Sequence, residues 1–225
     1  MLDADHVWGC AMTERAARYL NVGSGPRLIE PPPVFSDMAG VRFDTDRLFD
    51  PDVVGDARDI ASFFGEGAFR AVLLSHVLEH VYSHEVGDVL GGARAVLDAD
   101  GWALVLVPDL LRVCHLVLDL ERLHPEADAL GLPLYHSEAG PIAAADMLYG
   151  YRPHVAYRSD TMSHKTGFSA VGLATALHRA GFHGVRWYRV TFDTEPVLIA
   201  LASVASQPPA DAVSRVNAWL GVTSS

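Results

Sequence analysis

Three apolar segments in the first third of the chain each end in glycine, an acidic residue or a small polar residue. They are residues 20–25 (LNVGSG), 53–57 (VVGDA) and 72–80 (VLLSHVLEH). Such runs are typical of strands buried in an open α/β sheet, where ligands bind beyond the carboxyl ends of the strands. Three ordered strand ends of this kind predict one nucleotide-like ligand laid across them.

Most of the remaining chain alternates between strand and helix patterns, which favours a mainly parallel sheet. Near the end, two apolar runs at 185–190 and 197–205 are joined by a short polar turn at 193–196, as in an antiparallel pair. We therefore expect an α/β fold: a Rossmann-like open sheet, mainly parallel with an antiparallel C-terminal edge strand and helices on both faces. Further elements are predicted as strands at 41–43, 69–75 and 102–107, helices at 84–97, 110–123, 169–180 and 208–220, and a turn at 98–101.

Three consecutive prolines, Pro31 to Pro33, follow the first glycine turn. Proline lacks an amide donor and clashes with the preceding helical turn, so three in succession cannot lie inside a helix. The first crossover helix is therefore predicted to be short or absent.

Residues 124–167 interrupt the alternation with histidines, glycines, prolines and tyrosines and show little periodicity. A stretch of that length within a compact domain usually contains a lid or binding loops. We expect residues 1–225 to form one domain, with 124–167 as a lid or substrate insertion.

The composition limits the class of partner. The net charge is −11 and Lys165 is the single lysine, which argues against nucleic acid as a partner. No apolar run is long enough to span a bilayer, and the acidic N-terminus does not resemble a secretory signal. Cys10 and Cys114 have no motif around them and are expected to be incidental reduced thiols. These features predict a cytoplasmic protein that acts without a membrane; the composition leaves a homodimer open.

The polar residues at the strand ends are the candidate ligand contacts. Gly23 and Gly25 allow close approach of the backbone to a ligand, although a tight turn without a ligand has the same composition. Asp44 lies where an acidic residue accepts hydrogen bonds from ribose hydroxyls, and Asp46 is its rival. Asp56 ends the third strand, where a carboxylate can accept from an exocyclic amine.

These segments resemble the class I S-adenosylmethionine-dependent methyltransferases, and most closely the small type 11 group. The similarity covers residues 18–110, with the motif Leu78-Glu79-His80 and the strand ending Val107-Pro108-Asp109 as its more specific parts, and it extends through 164–169 to about residue 190. Asn21 stands where many members carry an acid, and Pro26 replaces the third glycine. The neutral Asn21 loses charge attraction to the cofactor.

The resemblance implies S-adenosylmethionine as the cofactor. It implies that the turn Gly23-Ser24-Gly25 faces the methionine part, that Asp44 holds the ribose, and that Asp56 and Ala57 hold the adenine. The cofactor contacts that it implies are Asn21, Gly23, Ser24, Gly25, Asp44, Thr45, Asp56, Ala57, Ser75 and His76.

Catalytic and substrate residues are expected around the fourth and fifth strand ends and in the insertion. His76 has a side chain that can act as a general base near neutral pH, and Asp109 and His164 are the other catalytic candidates. Glu79, His80 and Tyr149 are candidates for substrate contact, although Glu79 and His80 could equally be structural. The spacing of the histidines is not compact, so no metal site is predicted.

The predicted function is methyl transfer from S-adenosylmethionine to an O, N or C nucleophile of a small molecule or glycan precursor. The alternative is a non-catalytic protein of the same fold that binds S-adenosylmethionine or S-adenosylhomocysteine. A nicotinamide-dependent oxidoreductase is disfavoured because Leu28 occupies the last position of the Gly-x-Gly-x-x-Gly fingerprint.

Overall fold

The computed structural model describes residues 17–137, 140–192 and 195–222. A seven-stranded sheet with the order β3-β2-β1-β4-β5-β9-β8 forms its centre, and β6 and β7 form a separate two-stranded sheet. The strands are β1 (Arg18–Val22), β2 (Ala39–Asp44), β3 (Val53–Val54), β4 (Phe69–Ser75), β5 (Leu97–Pro108), β6 (Pro133–Ser137), β7 (Gly140–Ala143), β8 (Gly184–Phe192) and β9 (Glu195–Ser203).

In the sheet, β3, β2, β1, β4 and β5 pair in parallel with their neighbours, and β9 runs antiparallel to both β5 and β8. The predicted fold class is confirmed: the sheet is mostly parallel, with its antiparallel pairing at the C-terminal edge. The predicted turn at 193–196 falls partly on residues 193 and 194, which lie outside the described residues.

The α-helices are α1 (Ile60–Phe63), α2 (Val86–Ala95), α3 (Leu110–Leu123), α4 (Ala144–Tyr149), α5 (Arg152–Arg158), α6 (Ala170–Arg179) and α7 (Ala210–Leu220). Short 3-10 turns occupy Pro33–Phe35, Arg47–Phe49, Ala57–Asp59, Leu78–His80 and Ser159–Met162. The Ser169 side chain accepts from the Gly172 amide at 3.1 Å and caps α6. None of the helices in the described ranges has the length and apolar character needed to span a bilayer.

The segment 98–101 differs from its prediction as a turn, because it is part of β5. Phe69 pairs with Leu97 and Ala71 pairs with Trp102, so β5 carries extra residues opposite β4 at this point. A bulge of this kind bends a strand without ending it. The strand therefore begins earlier than its apolar run, and α2 is shorter at both ends than predicted.

Alternate residues of the central strands face two separate cores. On one face, Val72 and Val105 pack with α2 and α6; on the other, Leu73 and Trp102 pack with the 3-10 turn at Pro33–Phe35 and with α7. Two buried faces explain why these strands are apolar nearly throughout.

The first crossover contains the 3-10 turn Pro33–Phe35 and no α-helix, as the prolines predict. Phe35 stacks on Tyr19 and on Trp102, with ring centroids 4.5 and 5.2 Å apart. Arg215 of α7 forms an ion pair with Asp37 just after the turn. Among the described residues, this turn and α7 together cover the sheet face that a first crossover helix would otherwise cover.

The predicted insertion at 124–167 contains β6, β7, α4 and α5. Ile142 and Met147 pack against Val113 of α3 in a third, small apolar cluster. The segment is thus more regular than its composition predicts, and its role as a lid stays a prediction. Cys114 is exposed and unpaired, while Cys10 lies outside the described residues.

Candidate active site

The glycine turn after β1 lies in close contact with two neighbouring segments. Gly23 and Gly25 have φ angles of +63° and +59°, in the left-handed region that favours glycine. The amides of Gly23 and Ser24 both donate to the Phe43 carbonyl, at 2.8 and 3.3 Å. A Cβ atom on Gly23 would lie 2.6 Å from Cγ2 of Val77, so the turn also abuts the segment after β4.

The Asp44 carboxylate closes this turn onto the end of β2. It is only 6% exposed, and its oxygens accept from the amides of Gly25 and Asp46, each at 2.8 Å. This position at the carboxyl end of β2 is where an acidic residue can accept from ribose hydroxyls. Thr45 is exposed immediately beyond it. The rival Asp46 caps the turn Arg47–Phe49 by accepting from the Leu48 amide, which gives it a local structural role.

The Asp56 carboxylate is held by its neighbour Arg58. It accepts from the Arg58 amide at 2.9 Å and lies 2.6 Å from the guanidinium, which also contacts Glu85. The guanidinium hydrogen bonds hold the pKa of Asp56 below its ordinary value against the opposing effect of burial. An adenine amine at this strand end would therefore share the carboxylate with Arg58. Ala57 packs against the core beside it.

Asn21 is buried within β1, and Ser75 is half-buried at the end of β4. Asn21 pairs in register with Arg42 on one side and Leu73 on the other. Both residues thus lie on the strands that frame the glycine turn.

His76 follows β4 with a φ angle of +54°, which is uncommon for a residue other than glycine. Its Nδ1 lies 2.9 Å from Oε1 of Glu79, and its Nε2 lies 3.9 Å from Oε1 of Glu195. Burial lowers the pKa of His76, but the hydrogen bond to Glu79 and the two carboxylate charges outweigh it and raise the pKa to about 9. The imidazole is thus protonated at neutral pH, which does not suit the general-base role that the sequence predicts.

Glu79 is deeply buried, with 1% of its surface exposed. Burial raises its pKa, but the hydrogen bond and charge of His76 outweigh burial and lower it. Its carbonyl accepts from the amides of Lys165 and Thr166, at 2.7 and 3.2 Å. These bonds fasten the turn Leu78–His80 to the end of the insertion.

The structure brings His80 and His164 together, although they are far apart in sequence. Their ring centroids lie 5.0 Å apart. Burial is the main cause that lowers the pKa of His80, and the charge of His164 acts in the same direction. His164 and the exposed Tyr149 line a cavity of about 180 Å³ that also touches Glu79.

Asp109 does not open toward this cavity. It is 0% exposed, and its side chain caps α3 by accepting from the Arg112 amide at 3.4 Å. Its Oδ2 lies 2.9 Å from Nε of Arg189 in β8. These contacts hold the carboxylate in the interior, where it has no exposed surface for the catalytic role that the sequence predicts.

Three residues near the site were not singled out from the sequence. Arg42 in β2 braces the glycine turn through the Gly25 carbonyl and through the Ser24 hydroxyl at 3.3 Å. Glu195 faces His76 and accepts a hydrogen bond from Tyr135. Burial is the largest cause that raises the pKa of Tyr135, and the charge and hydrogen bond of Glu195 raise it further. Glu195 could have been found, because the first residue of an antiparallel strand lies at the same edge as the carboxyl ends of its parallel neighbours.

Comparison with solved structures places this arrangement in a known class of fold. A SAM-dependent methyltransferase from Archaeoglobus fulgidus matches with a TM-score of 0.52 at 12% identity over 84% of this chain and 86% of that one. One from Methanosarcina mazei matches with a TM-score of 0.52 at 13% identity over 84% and 92%. The 1,6-didemethyltoxoflavin-N1-methyltransferase of Burkholderia thailandensis, solved with bound 1,6-didemethyltoxoflavin and S-adenosylhomocysteine, matches with a TM-score of 0.50 at 18% identity over 84% and 71%.

The chain therefore has the Rossmann-like fold of the class I S-adenosylmethionine-dependent methyltransferases. No protein-family model matches the sequence, and no curated protein matches it. The resemblance seen in the sequence is thus confirmed at the level of the fold.

Proposed function

We propose that this protein transfers a methyl group from S-adenosylmethionine to an O, N or C nucleophile of a small molecule or glycan precursor. The observation that carries the proposal is the left-handed turn at Gly23 and Gly25, closed by the Asp44 carboxylate in a sheet of this strand order. Such a turn lets backbone amides approach a nucleoside ligand closely at the strand ends.

The residues at these strand ends fit the cofactor. Gly23 leaves beside Val77 a narrow space that a side chain would fill, and the Asp44 carboxylate at the end of β2 suits a ribose. Asp56 and Ala57 would contact the adenine. The two carboxylates of Glu79 and Glu195 outnumber the one positive charge of His76 between them, so this group carries a net negative charge that suits a cationic ligand. When bound, S-adenosylmethionine supplies an activated methyl group.

We place the acceptor in the cavity lined by Tyr149, His164 and Phe168. The protein's task there is to hold the nucleophile in line and to exclude water. Both the turn after β4 and the insertion contribute to this cavity, so the insertion would select the acceptor.

Calorimetric titration with S-adenosylmethionine and with S-adenosylhomocysteine tests the proposal. We expect both to bind, and Asp44→Asn to weaken binding about 10- to 100-fold, the loss of one charged hydrogen bond of about 1.5–3 kcal/mol. The matched control is Asp119→Asn on the exposed part of α3, which should bind like the wild type.

Failure of both ligands to bind, or equal binding by Asp44→Asn and the control, would contradict the proposal. Turnover is measured separately, as S-adenosylhomocysteine released in the presence of pooled hydroxyl, amine and sugar acceptors. Tight binding without any release would instead support the non-catalytic alternative.

A further inference from the structure

We propose that Glu79, His80 and His164 form a binding site for a divalent transition-metal ion of the Zn²⁺ type. One ligand atom from each residue lies within 4.8 Å of those of the other two. Zinc binds imidazole nitrogen and carboxylate oxygen at about 2.0–2.2 Å, so small rotations of the side chains would complete the site.

The two histidines are held in the tautomer that a metal ligand needs. Nδ1 of His80 lies 3.3 Å from the Ser163 carbonyl, and Nδ1 of His164 lies 2.8 Å from the Met147 carbonyl. A carbonyl oxygen can only accept, so in each hydrogen bond the Nδ1 donates and the neutral ring keeps the lone pair of Nε2 free. An imidazole fixed through its other nitrogen in this way is the usual arrangement around bound metals.

The Glu79 carboxylate supplies the independent sign of a missing ligand. Its Oε1 is hydrogen-bonded to His76, whereas the buried Oε2 has no hydrogen-bond partner among the residues that the structure describes. A buried carboxylate oxygen left unpaired is costly, and each such atom in a native fold requires an explanation. A cation between Glu79 and the two histidines satisfies this oxygen.

Backbone hydrogen bonds hold the ligands in place from both sides. Besides the two bonds to the Glu79 carbonyl, the Thr166 hydroxyl donates to the Val81 carbonyl at 2.9 Å, and the His164 amide donates to the Tyr149 carbonyl at 3.1 Å. The site thus joins the turn after β4 to the insertion.

Three protein ligands leave at least one coordination position for another molecule. Catalytic zinc sites with two histidines and one glutamate have this composition, whereas structural sites are closed by four protein ligands. Because Glu79 and His164 line the cavity, we infer that the remaining position faces it and takes an oxygen or nitrogen atom of the acceptor. This last step rests on the proposed methyl transfer; the ion site itself does not.

The test is direct metal binding by the full chain without a histidine tag. The protein is stripped with chelator, dialysed against Zn²⁺ and analysed for metal content, and Co²⁺ binding is followed by its visible absorption. We expect about one Zn²⁺ per chain, and a loss of affinity of more than about 100-fold in Glu79→Gln and in His164→Asn, since second-shell losses alone cost about 10- to 100-fold.

The matched control is His84→Asn, which changes an exposed histidine outside the cluster and should bind Zn²⁺ like the wild type. Circular dichroism shows whether each variant is folded, and a rise in wild-type Tm on adding Zn²⁺ gives a readout that needs no variant. Absence of bound Zn²⁺ in the wild type, or equal binding by all three variants, would overturn the site. The Zn²⁺ measurement is made without S-adenosylmethionine. Failure of the protein to bind S-adenosylmethionine would therefore refute the proposed function and leave the Zn²⁺ result standing.

Discussion

At the scale of single residues, the candidate site depends on left-handed backbone at three positions, Gly23, Gly25 and His76. Glycine adopts this conformation without steric cost, which is why the turn could be predicted from its composition. Histidine carries no such signal, so the conformation of His76 could not be predicted. In the structure, the hydrogen bond between its ring and the Glu79 carboxylate ties His76 to the turn Leu78–His80 that follows. Strained backbone of this kind is concentrated at functional sites.

Replacing Gly23 by alanine should destabilise the fold and abolish binding of S-adenosylmethionine. The new Cβ would clash with Val77 and would hold an unfavourable φ angle, at a cost of about 1–3 kcal/mol. Urea unfolding and calorimetry measure the two effects. Gly91→Ala in α2 is the matched control: its Cβ meets open space, so it should gain up to about 1 kcal/mol and bind normally. Equal stability of the two variants would contradict this account of the turn.

Among the candidate residues, those within the first three strand ends were the most predictable. Gly23, Asp44 and Asp56 lie at the positions that a parallel sheet requires, because their places follow from local order along the chain. The grouping of Glu79 and His80 with His164 could not be predicted, since it joins segments more than 80 residues apart through backbone bonds. The inward orientation of Asp109 likewise depends on Arg189, which comes from a later strand.

At the scale of elements, the insertion is ordered by one buried acid. Asp146 in α4 accepts from the amides of Ala143 and Arg152 at 2.8 and 3.1 Å, and its Oδ1 lies 2.7 Å from Nε of Arg152. A single carboxylate therefore joins β7, α4 and α5. The regular structure of 124–167 could not be predicted, because its sequence has no hydrophobic period. The segment is instead held by contacts such as those of Asp146 and by packing against Val113 of α3.

The stability that Asp146 provides should depend on acid pH. Burial raises its pKa, but the Arg152 guanidinium and the backbone amides outweigh burial and hold the pKa below the ordinary value. A carboxylate with a lowered folded-state pKa stabilises the protein above its unfolded pKa of about 3.9, and this contribution is lost as the pH falls through the folded value.

We therefore expect Asp146→Asn to cost about 2 kcal/mol at pH 7, with the difference from the wild type shrinking below pH ~4. Urea unfolding at a series of pH values measures it. Asp119→Asn, an exposed acid beside Arg122, should stay close to the wild type throughout. A difference for Asp146→Asn that does not change with pH would show that the loss is one of packing and not of charge.

At the scale of the whole molecule, the sheet is closed on both faces by elements from opposite ends of the chain. One core is built with α2 and α6 from the middle and C-terminal parts, and the other with the proline turn and α7. The open-sheet fold and its closing antiparallel pair could be predicted from the alternation of apolar segments. The packing of α7 against the turn Pro33–Phe35 could not be predicted, because the sequence of α7 indicates only an amphipathic helix.

Truncating Val216 in α7 to alanine should destabilise the whole domain by about 2 kcal/mol. The side chain is fully buried against the second core, and the loss combines two methyl groups with a residual cavity. Circular dichroism and tryptophan fluorescence should report one shared unfolding transition, because Trp102 lies in the same core. Val222→Ala, at an exposed position, should leave stability nearly unchanged. Separate transitions would mean that α7 is only a local appendage.

The replacement of a first crossover helix by a proline turn also has a consequence for synthesis. When β1, β4 and β5 have left the ribosome during translation, Pro33–Phe35 is the only one of the described elements outside the sheet that has emerged to pack in the second core. The helix that completes this core spans residues 210–220 and emerges more than 100 residues after the end of β5. Within the described part of the chain, the apolar side chains of this core therefore wait for α7 through nearly half of elongation, and exposed apolar surface of this kind makes a nascent chain prone to aggregation.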